Sequence, residues 1–157
     1  CLRFSPMVYS IRLARDEDAE AISQVIIQAL RESNAADYPA AVIDRVEQRF
    51  GPQDVRSLLG IRSMLVAQQG ERIIGTASLD GEVVRSVFVA PRAQGSGVGR
   101  ALLAEVVRLA REAGVGWLKV PSTVTAEGFY ARLGFEAVRD VWHGEERTIV
   151  MQLRLVA

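Results

Sequence analysis

Two hydrophobic periods alternate along the chain, and together they predict a mixed α/β fold. Runs with apolar residues at every second position, or rich in β-branched residues, are typical of strands. They fall at about 10–14, 61–67, 72–79, 83–89, 117–120, 135–141 and 147–155. Runs with apolar residues every third or fourth position are typical of amphipathic helices. They fall at about 19–30, 40–50, 97–113 and 124–133.

Turn and cap residues divide these runs. Asp16 is predicted to cap the first helix, Pro52 can begin a short additional helix that Gly60 would close, and Gly114 ends the longest one. The pair Asp80–Gly81 predicts a tight hairpin between the third and fourth strands. The order β-α-α-β-β-β-α-β-α-β-β contains one strand–helix–strand unit, whose two strands should be parallel with a right-handed crossover. We therefore predict a single α/β (α+β) domain built on a mixed central sheet of about seven strands.

Length and charge narrow the functional classes. The chain has 157 residues, and Lys plus Arg equals Asp plus Glu at 19 each, so no basic surface predicts a nucleic acid or an anionic membrane as partner. One Cys (Cys1) and one His are too few for an internal disulfide or a metal cluster, so we predict no metal. We expect a cytoplasmic domain over residues 7–157, with residues 1–6 derived from a vector or disordered.

The most informative segment is a glycine-rich turn that leads from a strand into the longest helix. Residues 87–100 read VFVAPRAQGSGVGR, with Gly95, Gly97 and Gly99 at the start of the helix. The first turn of a helix has N–H groups without intrahelical partners and a partial positive charge. Glycines let an anion approach these amides, and Arg92 and Arg100 could contact the same anion. The segment predicts a phosphate site, although a glycine-rich strand-to-helix turn also occurs without one.

Two separated motifs resemble those of the GNAT superfamily of N-acetyltransferases. Gln94–Gly99 (QGSGVG) is similar to its Q/R-x-x-G-x-G/A acetyl-CoA motif. Residues 123–136 (TVTAEGFYARLGFE) resemble its A-x-x-F-Y-x-x-L-G-F segment, and residues 11–19 resemble its usual opening. The resemblance covers about residues 10–155 and agrees with the predicted order of elements.

The resemblance implies that acetyl-CoA is the co-substrate, although a longer acyl-CoA stays open. The CoA pyrophosphate would lie on the backbone amides of Gln94 to Arg100, and the pantetheine arm would pair with the edge of the strand that contains Val87, Phe88 and Val89. That edge must be free, so strands 83–89 and 117–120 should splay apart, and Pro121 is predicted to end the second of them. The implied cofactor-binding residues are Val87, Phe88, Val89, Gln94, Gly95, Ser96, Gly97, Val98, Gly99, Arg100 and Thr123.

By the same resemblance, Tyr130 is the general acid that protonates the departing sulfur, and the N–H of Val89 or a neighbour polarises the thioester carbonyl. Tyr130 also belongs to an apolar stripe with Ala126, Phe129 and Leu133, which is typical of a core position. Thr123 stands where relatives often carry Asn or Ser. Glu82 is predicted to be a solvated turn residue, so no general base is assigned.

The resemblance predicts an acceptor pocket between about 32–38 and 142–146, with a small-molecule or peptide amine as acceptor. Acidic residues there could attract a cationic amine, and Tyr38 could shape the pocket; these acidic residues are Glu32, Asp37, Glu145 and Glu146. Each also fits a surface role. We predict a solvated His143 and packing roles for Trp117 and Trp142. Acetylation of protein N-termini or Lys, a catalytically degenerate acyl-CoA-binding module, and a homodimer stay open.

Overall fold

A computed structural model describes residues 8–155, and a seven-stranded sheet carries helices on both of its faces. The strands are β1 (Ser10–Leu13), β2 (Ser63–Gln69), β3 (Arg72–Asp80), β4 (Val83–Val89), β5 (Trp117–Thr123), β6 (Glu136–His143) and β7 (Glu146–Arg154). The helices are α1 (Ala19–Glu32), α2 (Ala40–Glu47), α3 (Pro52–Leu59), α4 (Val98–Glu112) and α5 (Glu127–Arg132). The predicted fold class is confirmed, and the short helix that begins at Pro52 is the third helix before β2. The expectations for residues 1–6 lie outside the described residues.

The sheet has the order β1-β2-β3-β4-β5-β7-β6. Its neighbours are antiparallel except β4 and β5, which are parallel as the strand–helix–strand unit predicts. The β3–β4 hairpin pairs Asp80 with Val83, and Gly81 supplies the positive φ of +62° that the two-residue turn requires. The sheet is therefore mixed, with one parallel pair at its centre.

Alternation along β2 divides the core between the two faces of the sheet. Leu65 and Ala67 belong to the cluster that contains α4, whereas Met64 and Val66 belong to the cluster that contains α1 and α3. This is the period of two expected of a strand buried on both faces. Throughout residues 8–155, no helix has the length and apolar composition needed to cross a membrane.

The start of α1 differs from the prediction. Residues 16–18 form a 3₁₀ turn, and the carboxylate that caps it belongs to Asp18 rather than Asp16. Asp18 is 7% exposed, accepts the Arg15 N–H at 2.7 Å, and pairs with both terminal nitrogens of Arg12 at 2.8 and 3.0 Å. The bond from Arg12 holds the pKa of Asp18 below its ordinary value. Asp18 thus joins β1 to α1, a long-range role that local cap statistics do not contain.

The central gap between β4 and β5 has a backbone cause. The prediction that Pro121 ends β5 was wrong, because β5 continues to Thr123 and pairs with β7 along its whole length. The two strands pair at Val83–Lys119, where Lys119 N–H donates to Glu82 O at 2.9 Å, and then separate. Because donors alternate along a strand, position 121 faces β4, and there Pro121 has no hydrogen to donate. The predicted splay is confirmed.

Two tryptophans predicted to pack in the core or on a sheet face are exposed to solvent. Trp117 is 44% exposed beneath the Arg154 guanidinium, which lies 5.6 Å from the ring centroid, and Trp142 is 60% exposed on β6. Both belong to the three-strand end of the sheet, where β6 is an edge strand with most of its residues exposed. Their period-two patterns identified the strands correctly but could not show how exposed the two side chains would be.

Candidate functional site

A cleft of about 690 Å³ opens where β4 and β5 separate. Its wall includes Gly99 and Arg100 of α4 on one face of the sheet, and Ala29, Ser33 and Asn34 at the end of α1 on the other. The cleft therefore passes through the sheet and joins its two faces, with strand edges as its middle section.

The glycine turn forms the entrance on the α4 face. Gly95 and Gly97 have φ of +79° and +90°, a region that favours glycine, and a Cβ on either would meet nothing within 4 Å. Gly99 has a different role, because a Cβ there would lie 3.3 Å from the Phe129 ring. The first two glycines shape an open turn, and the third lets α4 pack against α5.

Within residues 8–155, only some backbone N–H groups of this turn have hydrogen-bond acceptors. The N–H groups of Gln94 and Ser96 donate to Pro91 O and Ala93 O at 3.3 and 3.4 Å, and the Ser96 hydroxyl also donates to Ala93 O. No partner within residues 8–155 accepts a hydrogen bond from the remaining turn amides, those of Gly95, Gly97, Val98, Gly99 and Arg100. Together with the N-terminal end of the α4 dipole they can hold an anion. The Arg100 side chain lines the cleft beside them, whereas Arg92 is exposed outside the cleft wall.

The Gln94 side chain connects the two faces of the site. Its Nε2 donates to Ser33 Oγ at 2.9 Å and to Val89 O at 3.1 Å. Ser33 caps the end of α1, and Val89 ends β4, so one amide holds the glycine turn against both elements. In this structure the Gln94 side chain bridges the end of α1 and the end of β4, and it can affect ligand binding only by positioning the glycine turn.

A bulge in β4 lies midway along the cleft. Thr76 pairs with Phe88 and Ser78 with Arg85, so two residues of β4 face one of β3, and Ser86 has a φ of +54°. Past the bulge, Ala90 N–H donates to Ile74 O at 2.8 Å. By alternation, the backbone groups of Val89 point away from β3 and into the gap. The edge of β4 is thus available to an extended ligand.

Arg62 holds the bulge from behind. Its Nη1 donates to Ser86 Oγ at 3.0 Å, and its Nε is buried without a partner in the described part of the chain. Burial, with Arg85 nearby, lowers the pKa of Arg62 from its ordinary value. Nothing in the local sequence indicates a bulge at Ser86, because residues with positive φ are usually Gly or Asn.

Tyr130 lies deep in the cleft and is 4% exposed. Its ring packs edge-to-face against Phe129 and Phe135, with centroids 5.2 and 5.4 Å away. Its hydroxyl makes no hydrogen bond with any residue from 8 to 155, and burial raises the pKa of Tyr130 well above its ordinary value. The phenol is therefore protonated at neutral pH. Tyr130 occupies both the core stripe and the cleft wall.

Tyr38 joins loops beside the cleft without lining its wall. Its hydroxyl donates to Arg147 O at 3.1 Å and accepts Val124 N–H at 2.7 Å, which joins the loop after α1 to β7 and to the start of the α5 segment. Thr123 Oγ1 accepts Ala126 N–H at 3.1 Å, so its hydroxyl proton is still free to donate into the cleft. The hydroxyl of Tyr38 therefore fixes the loops, and that of Thr123 faces the cleft.

Most of the predicted site residues line one cleft, which the sequence could not show by itself. Ten of them are on its wall: Val87, Phe88, Val89, Gln94, Gly95, Gly97, Gly99, Arg100, Thr123 and Tyr130. Ser96 and Val98 are not, and the Val98 side chain is buried at 1% exposure. Glu82 pairs with Lys119 at 3.2 Å outside the cleft, and His143 is exposed. Within residues 8–155, no group of His, Cys, Asp and Glu side chains could hold a metal ion.

Known proteins share this fold. Residues 18–152 match the family model of the acetyltransferase (GNAT) domain. A GCN5-related N-acetyltransferase from Rhodopseudomonas palustris is 20% identical with a TM-score of 0.89, and the alignment covers 97% of this chain and 99% of that one. PaiA N-acetyltransferase from Thermoplasma acidophilum, in complex with coenzyme A, is 17% identical with a TM-score of 0.81, over 94% and 99%.

A third structure has a bound acetyl donor. YncA from Salmonella typhimurium, a putative acetyltransferase with its cofactor acetyl-CoA, is 26% identical with a TM-score of 0.66, over 94% of each chain. No curated protein matches the chain in sequence.

Proposed function

The chain belongs to the GNAT acetyltransferase family, and on this basis we propose that it moves an acetyl group from acetyl-CoA to a primary amine of a small molecule or peptide by direct attack on the thioester. The observation that carries the proposal is the continuous path through the sheet. The path begins at the glycine turn, follows the open edge of β4 and reaches the Tyr130 hydroxyl.

The turn fits a diphosphate in both shape and charge. Space beside Gly95 and Gly97 is open where a Cβ would stand, and unpartnered amides surround it. The pyrophosphate of CoA would accept from these amides and from Arg100, because a helix N-terminus favours negative charge. The amides of Gln94 and Ser96 would contribute little, since they already donate within the turn. CoA and acetyl-CoA are bound by two proteins of the same fold, which supports this assignment.

The edge of β4 suits the pantetheine arm, whose amides can pair with a strand. The N–H of Val89 faces the gap, while its carbonyl is taken by Gln94. This N–H would donate either to the arm or to the thioester oxygen, where it would stabilise the developing oxyanion. Thr123, across the gap on β5, keeps a hydroxyl proton for the same ligand.

Tyr130 would act as the general acid. The acceptor nitrogen bonds to the thioester carbon, the carbon–sulfur bond breaks, and the Tyr130 hydroxyl gives its proton to the departing sulfur. The proton lost by the nitrogen then restores the phenol, so acid and base balance over one turnover. Burial keeps the phenol protonated over the whole physiological range, which is the form that a proton donor requires.

One observation favours a second function. Among the described residues, no carboxylate and no histidine lines the cleft, so no side chain of the usual basic types could remove a proton from an ammonium ion. A module that binds an acyl-CoA without turning it over would need none. Binding and turnover must therefore be measured separately.

The test has two stages. In the first, melting temperatures are compared with CoA, acetyl-CoA and NAD, since a ligand at 100 times its Kd stabilises by about 2.7 kcal/mol. We expect stabilisation by both CoA species and none by NAD, and stabilisation by NAD alone would end the proposal. In the second, free thiol release is followed with a panel of amines. CoA binding without turnover across a broad panel would favour the binding module.

A further inference from the structure

The part of the cleft on the α1 face is polar but uncharged. Its uncharged polar side chains are Ser33 and Asn34 just after α1, Ser86 on β4, and Thr123 and Thr125 at and just beyond the end of β5. Within residues 8–155, the charged side chains on the whole cleft wall are Arg100 and Arg132, both positive. An ammonium ion in this cleft would therefore meet no opposite charge, and desolvation would disfavour it.

The carboxylates expected to attract a cation are placed elsewhere. Glu146 pairs with Arg49 at 3.3 Å and with Arg45 at 3.7 Å. Asp37 is exposed at the rim, where its Oδ2 accepts the Thr125 hydroxyl at 2.8 Å. Glu32 and Glu145 are exposed and off the wall. The sequence suggested an acidic pocket, and folding leaves the acidic side chains outside it.

Asn34 is the residue on this wall that bears most directly on the acceptor. It is 6% exposed and lines the cleft, yet its side-chain amide makes no hydrogen bond with any residue from 8 to 155. Among the described residues the buried side-chain atom without a partner is Arg62 Nε, so the Asn34 amide is not sealed off but open to the cleft, where a ligand can bond to it. An amide both donates and accepts without charge, which matches a neutral amine with its N–H groups and lone pair.

We propose that the acceptor is a weakly basic amine, such as the α-amino group of a peptide or an amino acid amide, which enters the cleft uncharged, and that Asn34 recognises its nitrogen. This rests on the proposed acetyl transfer. An α-amino group has a pKa of about 7.8 and a Lys side chain one of about 10.4, so near pH 7.5 about a third of the first and about 0.1% of the second is neutral. A cleft without a base therefore works about 250-fold better on the first from this factor alone.

Two isomeric substrates isolate that difference. Nε-acetyl-lysine amide offers an α-amine, and Nα-acetyl-lysine amide offers an ε-amine of the same molecular composition. We expect kcat/KM near pH 7.5 to be about 100-fold or more higher for the α-amine, and the rate on the ε-amine to rise about tenfold per pH unit up to pH 9. Equal or reversed preference would overturn the proposal. Loss of ε-amine turnover in Asp37→Asn would overturn it too, because Asp37 would then be the cation site.

An absence of turnover would also test the proposed acceptor class. If neither isomer and no weakly basic amine in a wider panel is acetylated, the acceptor class is wrong. Strongly basic amines and calorimetry with CoA then separate the acceptor class from the proposed function. Turnover of strongly basic amines alone contradicts only the acceptor class, whereas CoA binding without turnover of any amine, or no CoA binding, contradicts the proposed acetyl transfer as well.

Variants of Asn34 test its part in recognition. Asn34→Leu keeps the size and removes the hydrogen bonds, and we expect the KM for the α-amine to rise about tenfold while the Kd of CoA stays within about twofold. Asn34→Asp adds a carboxylate and should shift the isomer preference towards the ε-amine. Gln28→Leu removes an exposed amide from α1, which ends just before Asn34, and should change neither constant. An unchanged KM in Asn34→Leu, with the CoA Kd proving that it folds, would return Asn34 to a structural role.

Discussion

Replacing Tyr130 by Phe separates its chemical role from its packing role. The ring keeps its contacts with Phe129 and Phe135, and the lost hydroxyl has no partner within residues 8–155, so folding should be nearly unaffected. We expect the free energy of unfolding to change by less than about 0.5 kcal/mol. General acids contribute about 10²- to 10⁴-fold, so kcat should fall at least about 100-fold, which corresponds to about 2.7 kcal/mol of barrier.

The assay is free thiol release at saturating acetyl-CoA, with the CoA Kd measured by calorimetry on both proteins. Tyr38→Phe is the matched control, because the same hydroxyl deletion there removes two hydrogen bonds. It should lower the melting temperature, with a much smaller loss of kcat. If Tyr130→Phe keeps its kcat, Tyr130 is a core residue and the acid assignment is refuted.

The pH dependence of activity and stability in the wild type and in Tyr130→Phe gives a second test. Burial raises the pKa of Tyr130 above that of an exposed tyrosine, so activity should show no loss from ionisation of this phenol up to about pH 10. In the unfolded chain the phenol ionises near pH 10, so a raised folded pKa gives stability below that pH that is lost as the pH rises further. Tyr130→Phe lacks this term and should resist alkaline unfolding better than the wild type.

Three further substitutions test the frame around the cleft. Asp18→Asn should lower the free energy of unfolding by about 1–3 kcal/mol near neutral pH, because the pair with Arg12 is lost. The lowered pKa of Asp18 means that this difference should shrink as the pH falls below about 3.9, and a constant difference in acid denaturation would contradict the pairing. Gly99→Ala places a Cβ 3.3 Å from the Phe129 ring and should cost about 1–3 kcal/mol in chemical denaturation. Gly97→Ala meets no atom but has a φ of +90°, so it should cost about 1–2 kcal/mol and weaken CoA binding in calorimetry; an unchanged CoA Kd would show that this turn does not hold the ligand.

Most of the fold could be predicted from the sequence because hydrophobic periods and turn residues are local features. Hydrophobic periods predicted the seven strands, and Gly81 predicted the hairpin beside β4. The glycine turn could be predicted because positive φ and free helix amides depend on a few adjacent residues. Pro121 marked the gap correctly, but its effect on β5 was misjudged: a proline nitrogen interrupts pairing on one side of a strand only, and β7 pairs with the other side.

Features that depend on distant partners were missed. The bulge at Ser86 is held by Arg62 from the segment before β2, and nothing near Ser86 in the sequence announces it. Asn34 lies in the segment 32–38 that was predicted to border the acceptor pocket, but no local signal singles it out, because its burial depends on tertiary packing. The acidic residues near Tyr38 looked like a cation site, although Glu146 is paired with arginines of the α2 segment. Composition gives the charges of a pocket, but only the fold gives the directions in which they point.

The gap at Pro121 also bears on how the protein would respond to its surroundings. Hydrogen bonds, ion pairs and apolar contacts all change in strength with heat, salt or acidity, so an opening that relied on them would widen or close with conditions. A pyrrolidine nitrogen has no proton to gain or lose and no rotamer to change. Covalent structure therefore removes one hydrogen bond that could close the passage between β4 and β5, and no change of heat, salt or acidity can restore that bond.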